Sequence, residues 1–108
     1  MPRYISNTLT FATVNVTTAV SYAAAINDRV LCTAGGITIT LPISTSLTVG
    51  DTVQVIDVVG ASGASNITVA RNGANIQGLA ENLVIDINNA APILVYTGAT
   101  YGWIVSGS

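Results

Sequence analysis

The sequence predicts an all-β fold: a small antiparallel β-sandwich, or a barrel- or prism-like module, of about seven short strands behind an extended amino-terminal arm. Three observations carry this. Between Gly36 and Pro42 the chain alternates strictly, with Ile37, Ile39 and Leu41 of one parity and Thr38 and Thr40 of the other. Successive side chains of a strand point to opposite faces, so this is the pattern of a half-buried strand. Glycine- and asparagine-rich breaks recur at short intervals, as at Val49-Gly50-Asp51, Ala61-Ser62-Gly63-Ala64-Ser65 and Asn72-Gly73. Only Ala19 to Asn27 has helix-forming composition, and it is too short to hold a helix, so a single turn or bend is expected there.

Taken in order, Tyr4 to Thr18 alternates loosely, with Leu9 and Phe11, then Val14 and Val16, set among Thr and Asn. The register slips near Ala12-Thr13, and residues 1–18 read as an extended arm before a single β domain over 19–108. Val30 to Thr33 starts the sheet, Ala34-Gly35-Gly36 turns it, and the strand that follows stops at Pro42, which cannot donate to a ladder. Thr52 to Val59 is two-faced: Val53 and Val55 point one way, Ile56 and Val58 the other, which predicts burial on both sides or a bulge. Asn66 to Arg71 is a strand, and Asn72-Gly73 is the dipeptide best suited to a tight turn with positive φ. Leu83, Ile85 and Ile87 share a face of the next strand, and Ile93 to Thr97 and Trp103 to Ser106 complete the set. Ile39, Leu41, Val55, Ile85 and Trp103 are expected in the core.

Composition bounds the function. The 108 residues suit one domain, half of them are hydrophobic and only 7% are charged, against about 25% in ordinary soluble domains. Polar surface must come from Thr, Ser and Asn, 31 residues together. So little charge predicts that apolar surface is buried between subunits. The net charge is −2, Arg3, Arg29 and Arg71 are the only basic residues, and lysine is absent. A phosphate backbone or an anionic membrane surface needs a basic footprint, so neither is expected as a partner. The amino terminus lacks the apolar core of a secretion signal, which predicts synthesis in a reducing cytoplasm. Without a signal, the glycosylation sequons at Asn15 and Asn66 are read as chance.

Chemistry is tested by subtraction. With no histidine, no lysine and one cysteine, there is no Ser-His-Asp or Cys-His site, no zinc spacing, no Schiff base and no phosphate-loop lysine. Cys32, in the apolar run Val30-Leu31-Cys32, reads as a small buried hydrophobe. A carboxylate pair from Asp28, Asp51, Asp57, Glu81 and Asp86 is the acid–base chemistry that remains. Charges beside turns are ordinarily just solvated, and aromatic platforms for a sugar are thin. The reading is a non-enzyme, with no catalytic residues, no cofactor and no metal.

Several segments taken together resemble a known module. They are Asn27-Asp28-Arg29-Val30, Gly36-Ile37-Thr38-Ile39-Thr40-Leu41-Pro42, Val49-Gly50-Asp51-Thr52-Val53-Gln54-Val55-Ile56-Asp57, Asn66-Ile67-Thr68-Val69, Asn72-Gly73 and Gly102-Trp103-Ile104-Val105. Over Ile26 to Val105 the chain is similar to a β-rich module of bacteriophage virion proteins, found in tail fibres, head appendages and capsid decorations. The resemblance implies a non-enzymatic, usually homotrimeric structural component of the virion, made in the host cytoplasm. The compact length favours a capsid decoration or cement protein, or a head appendage, over a long fibre. The alternative is a tail-fibre or adhesin module binding a host surface glycan through Asn72, Tyr101 and Trp103. For Trp103, between Gly102 and Ile104, closing a core is the stronger expectation.

Overall fold

A computed structural model describes residues 13–107. Nine strands lie among them: β1 (Val14–Thr18), β2 (Tyr22–Ala23), β3 (Asp28–Cys32), β4 (Thr38–Thr40), β5 (Thr52–Asp57), β6 (Ile67–Ala70), β7 (Leu83–Ile85), β8 (Ile93–Tyr96) and β9 (Trp103–Ser106). The one helical element described is a single 3-10 turn at Ser44–Ser46. The protein is all-β, as the alternation requires.

The strands form two sheets, in the orders β1-β3-β5-β8-β9 and β2-β4-β6-β7. Through β6 the chain alternates between them, so each winding lays one strand in each sheet. The neighbours this creates, β1 with β3, β3 with β5, β2 with β4 and β4 with β6, are parallel. Parallel neighbours need a crossover connection, and here the strand in the opposite sheet supplies it. Only the last three strands pair antiparallel: β7 with β6, β8 with β5 and β9 with β8, so β7 and β8 are reversed and β9 again runs with β5. The sheets are therefore mixed, not antiparallel, and both end in edge strands. The expectation of antiparallel sheets needs this correction because period-two alternation is the same whichever way a neighbour runs.

The strand count also exceeds the seven read from the sequence, for two reasons. Val14–Thr18 is extended as expected and pairs with β3 over its whole length, so it counts as a strand of the sheet. The remainder of the expected arm lies outside the described residues. The helix-like stretch bends at Ala19-Val20 and then contributes β2, with Tyr22 opposite Ile39.

Parallel register stacks like on like. Val16, Val30 and Val55 form one row, while Tyr22, Ile39, Val69 and Leu83 form another. One buried cluster takes residues from both sheets, including Val30, Ile39, Leu41, Val53, Val55, Ile67, Ile85 and Leu94, and Trp103 at 0% exposure. Each of the five core positions expected from the sequence is buried. Trp103 packs edge-on against Tyr96, ring centroids 5.6 Å apart.

The second apolar face of β5 lies outside. Ile56 is part-exposed and Val58 and Val59 are exposed, while the register with β3 runs unbroken from Arg29–Gln54 to Cys32–Asp57. Neither two-sided burial nor a bulge occurs there. Asn72 and Gly73 take φ values of 50° and 103°, the positive-φ turn the dipeptide predicts.

Candidate functional site

Two surfaces and one polar knot stand out once the core is removed from view. The first surface is the outer face of the five-stranded sheet. Leu31 lies opposite Ile56 between β3 and β5, and Val95 opposite Ile104 between β8 and β9. With Ile93 they make two part-exposed aliphatic groups on this face, divided by Thr52 opposite Val95 and by Gln54, which lies opposite Ile93 and accepts a hydrogen bond from Arg29. The four-stranded sheet differs. Its outward positions include Thr38, Thr40 and Thr68, which are small and hydrogen-bonding. A sheet with one face in the core normally carries polar residues on the other. The four-stranded sheet follows that rule at these positions, while the five-stranded sheet mixes Arg29, Gln54 and Thr52 with aliphatic residues.

The second surface is a groove of about 170 Å³ between edge strand β7 and the β8–β9 side. Leu83, Val84, Ile87, Pro92 and Val105 line it, and Asp86 contributes a charge. Ile87 falls beyond the end of β7 and is 69% exposed, so the face expected to join Leu83, Ile85 and Ile87 stops at Ile85.

The knot is built on Asp57, which is 1% exposed at the end of β5. Its carboxylate accepts hydrogen bonds from the backbone N–H groups of Gly60, Ala61, Ser62 and Asn89, at 3.0 to 3.2 Å. Ser62 Oγ lies 2.8 Å from the same carboxylate and 2.7 Å from the Ile87 carbonyl oxygen. Burial pushes the Asp57 carboxyl up, but these donors outweigh it and hold the pKa down at about 2. Burial, and then the Asp57 charge opposite it in register, raise the Cys32 thiol to about 11. Cys32 is therefore a protonated, fully buried thiol.

The other carboxylates divide into two kinds. Asp28 is buried and accepts from the Tyr22 hydroxyl at 2.7 Å and the Ala25 N–H at 2.8 Å. The hydrogen bond to Asp28, then burial, then the Asp28 charge raise the Tyr22 pKa. Asp51 accepts from the Thr48 N–H at 2.7 Å and closes the Val49-Gly50 turn. Glu81 and Asp86 are exposed. Three of the five carboxylates thus serve as acceptors that fold loops. Among the described residues, no group of three or more His, Cys, Asp or Glu side chains is placed to hold a metal.

Of the three residues expected to meet a glycan, two are on the surface. Asn72 is exposed, its side-chain amide donating to the Leu41 carbonyl, and Tyr101 is 63% exposed. Trp103 is in the core and leaves that set. A polar pocket of about 270 Å³ lies between the Asn72-Gly73 turn and the loop before β9, lined in part by Ser44, Thr45 and Asn75.

Sequence reasoning missed Ser62, Gln77 and Asn89, which use side chains in place of backbone partners. Gln77, at φ 55°, donates its N–H to the Trp103 carbonyl and accepts the Val105 N–H on Oε1, covering the outer edge of β9. Asn89, at φ 62°, donates its side-chain amide to the Asp57 carbonyl. Asn89 beside Asn88 and the spacing from Asp57 to Gly60 were the available signals, since Asn and Asp favour such local turns.

No helix among the described residues is long and apolar enough to cross a membrane. Compared with known proteins, the chain matches no family model and no curated sequence.

Proposed function

We propose that the protein is a non-enzymatic structural component of a bacteriophage virion, a homotrimer that decorates or cements the capsid or stands on the head as an appendage. The observation that carries this reading is the set of aliphatic residues on the outer face of the five-stranded sheet, Leu31, Ile56, Ile93, Val95 and Ile104. Part-exposed aliphatic side chains on one sheet face, set around Arg29, Gln54 and Thr52, in a chain with 7% charge are best buried against other chains. Three copies packing this face around a three-fold axis form a prism-like stack of sandwich-like wedges, with the threonine-bearing sheets outward. The threefold number comes from the module that Ile26 to Val105 resembles. The partners are virion proteins and further copies, with no role for nucleic acid or membrane, and the site of action is the particle after synthesis in the host cytoplasm.

Locating the chain on intact particles tests this reading. Density or gold label on the capsid shell is expected, and label confined to the tail tip contradicts it. A second reading, a tail-fibre or adhesin module for a host glycan, is favoured by the neutral polar pocket at Ser44, Thr45 and Asn75 near the exposed Asn72. Glycan-array binding that falls with Asn75→Ala supports that alternative, and its absence removes it.

A further inference from the structure

We propose that Asn72–Gly73 is a site of spontaneous deamidation, held in check by the hydrogen bond from the Asn72 side chain to Leu41, and that its conversion to a carboxylate frees the Leu41-to-Ser44 segment for good. Of the nine asparagines in the sequence, Asn72 is the one followed by glycine. Deamidation begins when the backbone nitrogen of the next residue reaches the asparagine Cγ, and a side chain on that next residue obstructs the approach. Every other asparagine here precedes a residue that carries one.

The turn exposes the reacting groups and restrains one of them. Asn72 and Gly73 are both exposed, in a positive-φ turn. Among the described residues nothing accepts from the Gly73 N–H, so no hydrogen bond has to break at the attacking nitrogen. Arg71 donates from Nη1 to the carbonyls of Gly73 and Ala74, at 3.2 and 3.0 Å. A fixed cation on the carbonyl of the attacking residue favours the negative charge that develops as its nitrogen loses a proton. The restraint lies on Asn72, whose Nδ2 donates to the Leu41 carbonyl at 3.0 Å. Turning Cγ onto the Gly73 nitrogen releases that bond, so the reaction proceeds from a locally opened turn.

Water is the one co-reactant. Solvent base takes the Gly73 N–H proton and the nitrogen attacks Cγ of Asn72. The N–Cγ bond forms, the Cγ–Nδ2 bond breaks, and Nδ2 takes up a proton and leaves as ammonia. The cyclic imide then adds water at either carbonyl and opens to an aspartate or to its isomer, in which the backbone runs through the side chain.

Neither product keeps the strap. A carboxylate has no hydrogen to donate to the Leu41 carbonyl, and its oxygens repel that carbonyl. The isomer also lengthens the backbone at the Asn72 carbonyl, which accepts the Ser44 N–H at 3.2 Å. The aspartate therefore loses one hydrogen bond from the turn to the Leu41-to-Ser44 segment, and the isomer loses both. Ser44, Thr45 and Gly73 line the polar pocket, so its wall changes with them.

The test ages the folded, full chain in mildly alkaline buffer and maps its peptides by mass. The amide-to-acid mass gain should appear at Asn72 ahead of every other asparagine, with oxygen from labelled water incorporated there. Unfolding the chain in denaturant should raise the rate about fivefold or more, the worth of one released hydrogen bond. Asn72→Gln keeps an amide but must close a larger, slower ring, and should show no gain at that position over the same time. Hydrogen exchange reads the consequence. The Ser44 amide should exchange about fivefold faster or more in Asn72→Asp and in the aged protein, with Val30 and Val55 unchanged. Earlier conversion of another asparagine, or equal rates in the folded and unfolded chain, overturns the proposal. Unchanged exchange at Ser44 in the aged protein overturns it as well.

Discussion

Asp57 places a charge in the interior where two loops must be held together. Its N–H donors come from the loop after β5 and from Asn89 in the β7–β8 loop. Removing the carboxylate leaves buried amides without acceptors, so Asp57→Ala should cost about 3 kcal/mol or more. Because the folded pKa of about 2 lies below the ordinary 3.8, this carboxylate stabilises the fold fully above about pH 4. That contribution is lost as pH falls from about 4 through about 2. Denaturant titrations across this window should show the loss in the native protein and a much flatter dependence in Asp57→Asn. Beside it, Cys32 should not react with a thiol reagent at neutral pH in the folded state, and should react once per chain in denaturant. A fast native reaction would contradict its burial.

At the scale of elements, strand alternation was the most legible feature. Ile37, Ile39 and Leu41 are buried and Thr38 and Thr40 are part-exposed, as their parity requires. Ile39→Ala should therefore cost about 2–5 kcal/mol. Thr38→Ala and Thr40→Ala should cost far less, and equal losses in thermal unfolding would refute the assignment of faces. Direction was not legible, because the breaks that look like hairpin turns mostly carry the chain across to the other sheet. Nor was β2, whose alanines hide a strand specified by pairing with β4 and not by propensity. The candidate site was legible only in part. The second apolar face of Ile56 was plain in the sequence, but its outward placement depends on which sheet covers β5. The Asp57 knot joins residues 32 positions apart, and no local pattern encodes that contact. Gly102 shows the same limit: at φ 69° a Cβ there would run into the Asn75 carbonyl. Gly102→Ala should accordingly lower the melting temperature by several degrees, combining φ strain and a clash.

For the whole molecule, the question is what covers the outer face of the five-stranded sheet. In the proposed trimer the threonine-bearing sheet meets water, and the face carrying Leu31, Ile56, Ile93, Val95 and Ile104 meets the other copies. Ile56→Lys should separate the subunits while leaving the single-chain fold intact, because the Ile56 side chain points away from the core. Apolar association also predicts little sensitivity to salt, since screening acts on charges. The most direct measurement is the mass in solution by light scattering at micromolar concentration, in low salt and in 1 M salt. Three times the 11.0 kDa chain mass in both, falling to one chain for Ile56→Lys, is the predicted result. A stable, soluble single chain of 11.0 kDa in the unaltered protein would contradict it.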